Sequence, residues 1–368
     1  MRVRDVLVHL EQLAPPALAE SWDNVGLLVG EASQPVTSIL VALDVTPAVL
    51  DQAQTQGAQL IVTHHPLIFS GLKRLTEDGG VASMLRRMIR EGRSAIAMHT
   101  NLDAAPDGLN TYVAKLFGLN DIRPLIPTAT RPLRKLVVYV PESHIDAVRS
   151  AMCAAGAGHI GHYADCTFGV PGTGTFRPEA GTHPFIGTTG ELEHVREVRL
   201  ETVVPQASLH DVLTAMLTSH PYEEVAYDIF PLEIPWPGAG LGRIGQLASP
   251  LPAQEFLTHI GSILQTDRLS FIGNPHQQVR TIALCTGAGG DFIAQAMHSG
   301  ADLYVTGEVK HHQALLARQQ GMAVIDAGHF PTERPAVNLI AEYLETHTRE
   351  ISIIRALEDD PLQLKQGI

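Results

Sequence analysis

The sequence predicts an α/β protein. A parallel-sheet α/β domain is built twice, from the N- and C-terminal parts of the chain, with a ferredoxin-like α+β domain inserted between the copies. Three observations carry this reading. Residues 38–99 and 280–329 each alternate strand, helix, strand, helix, strand, the order that yields a parallel sheet. Their middle strands read alike, GAQLIVTHH from Gly57 and GADLYVTGE from Gly300, without a gap. Between them the order becomes β-α-β-β-α-β, which is ferredoxin-like.

The elements follow in chain order. MRVRDVLVHLEQL reads as an amphipathic helix; Asp5, His9 and Glu11 fall where a signal peptide needs an apolar core. SILVALD is a strand. The next helix has Thr46 as N-cap, Pro47 at its first position and Gly57 at its end. AQLIVT is the next strand, VASMLRRMIREG a helix closing at Gly92, and SAIAM a strand leading into HTNLD. In the insert, the strand RPLRKLVVYVP and the helix ESHIDAVRSAMCAAG precede a Gly-rich segment, read as a hairpin. VREVRLETVVP, SLHDVLTAMLTSH and EVAYDIFPL complete it, and PWPG at 235–238 reads as its exit linker. The expected domains are therefore 1–129, 130–235 and 236–368. The C-terminal copy runs RTIALCTG, DFIAQAMHSG, ADLYVTGE, HHQALLARQQG and MAVIDAGH.

Composition narrows the function classes. The chain has 368 residues, 45% of them apolar, enough for two or three domains with real cores. Its formal charge of −13 disfavours a ring that threads nucleic acid, because such binding rests on Lys and Arg neutralising phosphates. The three cysteines form no CxxC pair, so neither a thiolate zinc site nor a disulfide framework is indicated. No apolar run reaches membrane-spanning length. A cytoplasmic protein is expected.

The chemistry concentrates at strand ends. In IVTHHPLIF, a β-branched run drives into two histidines, and Pro66 stops the ladder there. His64 and His65 thus sit on stiff backbone at a strand's carboxyl end, where open parallel sheets bind ligands. Neutral imidazole there is a ready metal ligand. HTNLD places His99 and Asp103 at a second such end, and GHFPTE places His329 and Glu333 at a third, four residues apart. The imidazoles of His64, His65 and His329 with the two carboxylates suit a two-metal hydrolytic site, the carboxylates free to bridge. Mixed N/O donors accept zinc, iron, manganese or nickel. TGEVKHHQ puts Glu308, His311 and His312 at the repeat position of the His pair. Glu308 is read as an acid/base group or as one that supports a ligand from behind. His311 and His312 stay open between site-lining groups and a solvated helix face. Asp23 and Asn24 in SWDNVGLLVG stay open between turn caps and ligand contacts. GLGRIG at 240–245 matches GxGxxG, but it lacks the preceding strand and is read as a structural loop.

SWDNVGLLVG, ALDVT, IVTHHPLIF, HTNLDAA, TGEVKHH and GHFPTE, in that order, resemble the Nif-three-like dinuclear-metal family, whose members are called GTP cyclohydrolase 1 type 2 homologues. GHIGHY, GTGTF, HPFIG and HPYEEVAYDIFPL resemble the PII- or CutA-like insert of its long members. The resemblance covers nearly the whole chain. It implies two divalent metal ions per subunit on His64, His65, Asp103, His329 and Glu333, the residues that the strand ends also single out. It implies a toroidal homohexamer with its sites facing an internal cavity. It implies a metal-dependent hydrolase of a nucleotide, with GTP the named candidate; for such a reaction His99 or Glu308 is the expected proton shuttle. The alternative is a non-enzymatic assembly that stores or senses metal or regulates. Partners are thus the chain itself and a small molecule such as a nucleotide, with no membrane and no nucleic acid.

Overall fold

The computed structural model describes residues 1–76, 79–127, 132–161, 163–234 and 236–362. The strands among them are, in order, β1 (Gly26–Val29), β2 (Ser38–Ala42), β3 (Leu60–Thr63), β4 (Ser94–Ala97), β5 (Asn120–Pro127), β6 (Leu133–Pro141), β7 (Thr167–Phe176), β8 (Glu193–Pro205), β9 (Tyr227–Leu232), β10 (Gly240–Pro252), β11 (Ser270–Ile272), β12 (Gln278–Cys285), β13 (Leu303–Thr306), β14 (Ala323–Asp326) and β15 (Ser352–Arg355). They belong to two compact units. One joins Met1–Thr128 to Pro237–Ile368; the other is Ala129–Trp236. The expected junction at 129–130, Pro235 of PWPG and the second histidine of GHIGHY lie outside the described residues.

The discontinuous unit holds two sheets. The first has the order β1-β4-β3-β2-β15, the second β11-β14-β13-β12-β10-β5. In each, three successive strands run parallel and an earlier strand closes one edge antiparallel: β1 on β4, β11 on β14. The repeat is therefore visible in strand order as well as in sequence. The registers match too, with Ala42 opposite Thr63 in one copy and Cys285 opposite Thr306 in the other. The far edges are exchanged. β15, from the C-terminal part, pairs with β2, while β5, from the N-terminal part, pairs with β10. Neither part of the chain completes its own sheet.

β2, β3 and β4 are continuous apolar runs because helices cover both faces of a parallel sheet. Ile39, Leu40, Val41, Leu60, Ile61, Val62 and Ile96 are fully buried, each stabilising by about 1.5–3 kcal/mol relative to exposure. The Pro47–Thr55 helix starts as expected, with Thr46 Oγ1 accepting from the Val49 amide at 3.2 Å.

GLGRIG is a strand, not a loop. It opens β10, paired on one side with β5 and on the other with β12. Long-range pairing of this kind leaves no local signal. Its Arg243 is 1% exposed. The guanidinium donates to Thr111 Oγ1 at 2.6 Å and to the carbonyls of Gly240 (2.6 Å), Gly242 (2.7 Å) and Ala105. Ala105 directly follows the helix Thr100–Ala104, which bears Asp103. A buried cation thus fixes that helix to β10.

The continuous unit is one antiparallel sheet, order β7-β8-β6-β9, with helices Ile145–Ala154 and Leu209–Ser219. Its chain order is β-α-β-β-α-β. Leu136, Val138, Val140, Val148, Met152, Leu200, Val204, Val212 and Met216 form its core.

Arg243→Met would strand four acceptors, each left unmade at about 1–3 kcal/mol. A loss of at least about 3 kcal/mol in denaturant unfolding is expected; an unchanged midpoint would contradict this role.

Candidate metal centre

Two residues beyond β3 the chain still ladders to β2's continuation: the His64 amide donates to Ala42 O at 3.3 Å and the His65 amide to Leu43 O at 2.9 Å. This pairing holds both imidazoles on fixed backbone. His64 is wholly buried. Its Nδ1 donates to Met98 O at 2.8 Å, and its Nε2 has no hydrogen-bond partner. That nitrogen lies 3.8 Å from Asp103 Oδ1 and 3.8 Å from Glu333 Oε1.

The other imidazoles repeat the design. His65 Nδ1 meets Asp44 Oδ1 at 2.9 Å, and its Nε2 lies 2.9 Å from Glu333 Oε2. His329 Nδ1 meets Glu308 Oε1 at 2.6 Å, and its Nε2 lies 2.8 Å from the same Glu333 oxygen. His99 Nδ1 meets Asp23 Oδ1 at 2.8 Å. Each ring is oriented through Nδ1 by an acceptor, an arrangement that fixes tautomer and direction in metal-ligating histidines.

The short helix His329–Glu333 after β14 brings Glu333 in from the second sheet. Gly287 makes room for it. At φ +63°, an added Cβ there would lie 2.0 Å from Glu333 Oε1. Asn110 ties the two sheets' contributions together, donating to Asp103 O at 3.2 Å and accepting from the Thr286 amide at 2.9 Å.

The electrostatics are those of a carboxylate cluster balanced by imidazolium. Burial alone would raise the Glu333 carboxyl, but the His329, His64 and His65 rings override it and hold it well below its ordinary range. Burial pushes Asp103 up, opposed by His64. Burial would lower His65, but Asp44 and Glu333 raise it to about 10. Glu333 and then Glu308, against burial, raise His329 to about 9. Asp23, raised by burial, is brought down to about 2 by His99 and Thr100.

The structure thus brings His64, His65, Asp103, His329 and Glu333 together, with His99 alongside. Among the described residues, two sets have donor atoms within 4.8 Å of one another and could hold a metal ion: His64, His65 and His99, and His65, His329 and Glu333. Glu308 acts on the His329 ring. His311 and His312 are exposed at the start of the helix His311–Gln319, so the solvated-face reading describes their position. Asp23 holds His99 and also accepts from the Thr100 amide at 3.0 Å, while Asn24 donates to Ile68 O at 2.6 Å. Asp44 escaped the sequence reading. The signal was available, since ALD ends a parallel strand just as the histidine-bearing segments do.

A cavity of about 520 Å³ opens beside His65 and His329. Arg268 and Lys310 line it, but Asp44, Glu308, Asp326 and Asp360 outnumber them.

The model of the family Duf34/NIF3 (NGG1p interacting factor 3) matches residues 1–361. The chain belongs to this family. Among Duf34/NIF3 relatives, a protein named GTP cyclohydrolase 1 type 2 homolog from Halalkalibacterium halodurans is 42% identical over 324 residues, covering 88% of this chain and 87% of that one. A Bacillus subtilis protein of the same name is 40% identical over 327 residues, 89% and 88% of the two chains. The crystal structure of a Bacillus cereus protein related to NIF3 superposes with a TM-score of 0.77 at 37% identity, covering 99% of each chain. Among the described residues no helix is long and apolar enough to cross a membrane.

The raised imidazoles set the pH response of chelator-treated protein. His65 and His329 titrate above their unfolded value near 6.5, so their contribution is full below that pH. It is lost as pH rises through about 9 to 10. The lowered Glu333 adds an opposite limb, lost as pH falls below the ordinary carboxylate range. In EDTA the melting temperature is expected to fall by several degrees between pH 7 and 10, and a flat profile would refute the imidazolium cluster.

Proposed function

We propose that the centre holds two divalent metal ions and that the protein is a metal-dependent hydrolase acting on a nucleotide. One observation carries the metal reading: His64 Nε2 and Asp103 Oδ1 are buried without a hydrogen-bond partner, and the buried Glu333 Oε2 is met only by the Nε2 atoms of His65 and His329. Buried polar atoms are almost always satisfied, and the Asp103 and Glu333 carboxylates both lie 3.8 Å from the His64 nitrogen. A cation fits a donor set of imidazole nitrogens and carboxylate oxygens, with zinc, iron, manganese and nickel all compatible. His64, His65, Asp103, His329 and Glu333 would hold the ions. When bound, they supply Lewis acidity and lower the pKa of a water towards about 7.

The chain's own groups do the rest. His99, tied through Nδ1 to Asp23, keeps Nε2 as its exchanging nitrogen and serves as general acid or base. Glu308 orients His329 and leaves proton transfer to His99. Arg268 and Lys310 in the adjoining cavity are the groups placed to meet phosphate oxygens. The names of the relatives support a nucleotide of the GTP kind. Family membership supports the toroidal homohexamer, which light scattering tests directly; a monomer in solution would remove that part of the reading. Three free thiols, Cys153, Cys166 and Cys285, fit a reducing cytoplasm.

The surplus of carboxylates over bases in the cavity favours a second reading, retention or sensing of metal without turnover. One experiment separates the two. Protein loaded in turn with each metal is offered GTP, other nucleotides and phosphoesters, and its metal content is measured by mass spectrometry. Asp103→Asn and Glu333→Gln are expected to lower metal content and to reduce turnover by more than the roughly 10–100-fold typical of outer-shell changes. Bound metal with no turnover of any substrate would favour retention. Wild-type protein that takes up no metal would remove both readings.

A further inference from the structure

The continuous unit carries a cavity of its own, about 370 Å³, within the range of small-molecule sites, roughly 300–1,000 Å³. Four aromatic side chains line it, Tyr139, Phe176, Phe185 and Tyr222, and the last three form a cluster. Phe176 and Tyr222 have centroids 5.8 Å apart at 62°, and Phe185 and Tyr222 6.4 Å apart at 49°. Rings inclined like this form a corner. Tilted faces leave no parallel slot in which a flat base would be sandwiched, whereas a compact cation can rest against several of them at once.

A carboxylate backs the corner. Glu197 is 8% exposed, and its Oε1 accepts from the Tyr222 hydroxyl at 2.9 Å. Gly174 gives it space, since an added Cβ would lie 2.0 Å from Glu197 Oε2. The Tyr222 backbone is held as well: its amide donates to His220 Nδ1 at 3.1 Å, and His220 Nε2 donates to Tyr139 O at 3.0 Å. Glu223 and Glu224 add negative charge at the cavity wall, and no Lys or Arg lines it among the described residues. A buried acid, inclined aromatic faces and a wall without cations are complementary to positive charge on an apolar body.

We propose that this cavity binds a small organic ammonium cation, with Phe176, Phe185 and Tyr222 supplying ring faces and Glu197 the counter-charge. The site does not depend on the metal reading.

Ligand-observed NMR titrations of the full chain with tetramethylammonium, choline, adenosine and 3,3-dimethylbutanol, the neutral isostere of choline, test it. Saturable binding of choline at least ten-fold tighter than of 3,3-dimethylbutanol is expected. Glu197→Gln keeps the shape and the Tyr222 acceptor and should erase that preference. Phe185→Leu, at a half-exposed position that folding tolerates, should weaken choline about ten-fold. Equal affinity for the cation and its neutral isostere would overturn the proposal. So would tighter binding of adenosine at the same site, choline binding unchanged in both variants, or no saturable binding of either ammonium ion.

Discussion

The discontinuous unit is organised around one electrostatic constraint. Two carboxylates, Asp103 and Glu333, are buried within reach of His64 Nε2, a nitrogen that has no partner of its own. Isolated buried charge is tolerated only when paired or coordinated. His65 and His329 both turn Nε2 towards Glu333, and Asp44 and Glu308 hold those rings from behind. Features that look unrelated in sequence serve this arrangement. Gly287 vacates the place of the Glu333 carboxylate, Asn110 links the Asp103 helix to the loop after β12, and Arg243 fastens the residue that follows that helix.

The constraint also explains why the site lies where the carboxyl ends of two sheets meet. A single sheet of this duplicated fold supplies one set of strand ends. The N-terminal copy offers two histidines after β3, while the C-terminal copy offers Gly307 and Glu308 at the same places and contributes Glu333 from the helix after β14. Duplication followed by divergence of equivalent ends turns two similar edges into complementary halves of one centre.

Much of this was legible because it is local. Strand ends are marked by β-branched runs and stopped by residues such as Pro66, so His64, His65, His99, Asp103, His329 and Glu333 follow from chain position. The repeat was legible because its strand GADLYVTGE preserves spacing as well as character. What escaped depends on pairing between distant segments. The strand end in ALDVT places Asp44 at the edge where the site lies, but its pairing with His65 Nδ1 depends on the neighbouring strand. Nothing around GLGRIG shows that β5 and β12 flank it, or that Arg243 will be buried among carbonyls. The exchange of β15 and β5 is invisible for the same reason. The boundaries of the insert were placed from a change of pattern, and the compact unit observed spans Ala129–Trp236.

The exchanged edge strands bear on the order of events at the ribosome. Ser38 of β2 pairs with Ser352 of β15, so the first sheet waits for nearly the whole chain before its edge is closed. Contacts of such large sequence separation form late and slowly. Glu333, too, is made long after the histidines it joins. The nascent protein therefore carries an unfinished site and an open strand edge through most of its synthesis, while the insert has all of its own strands in one contiguous stretch. Premature termination shortly before β15 would release a chain with its histidines and both carboxylates already made but the outer edge of β2 open, a species exposed to edge-to-edge association.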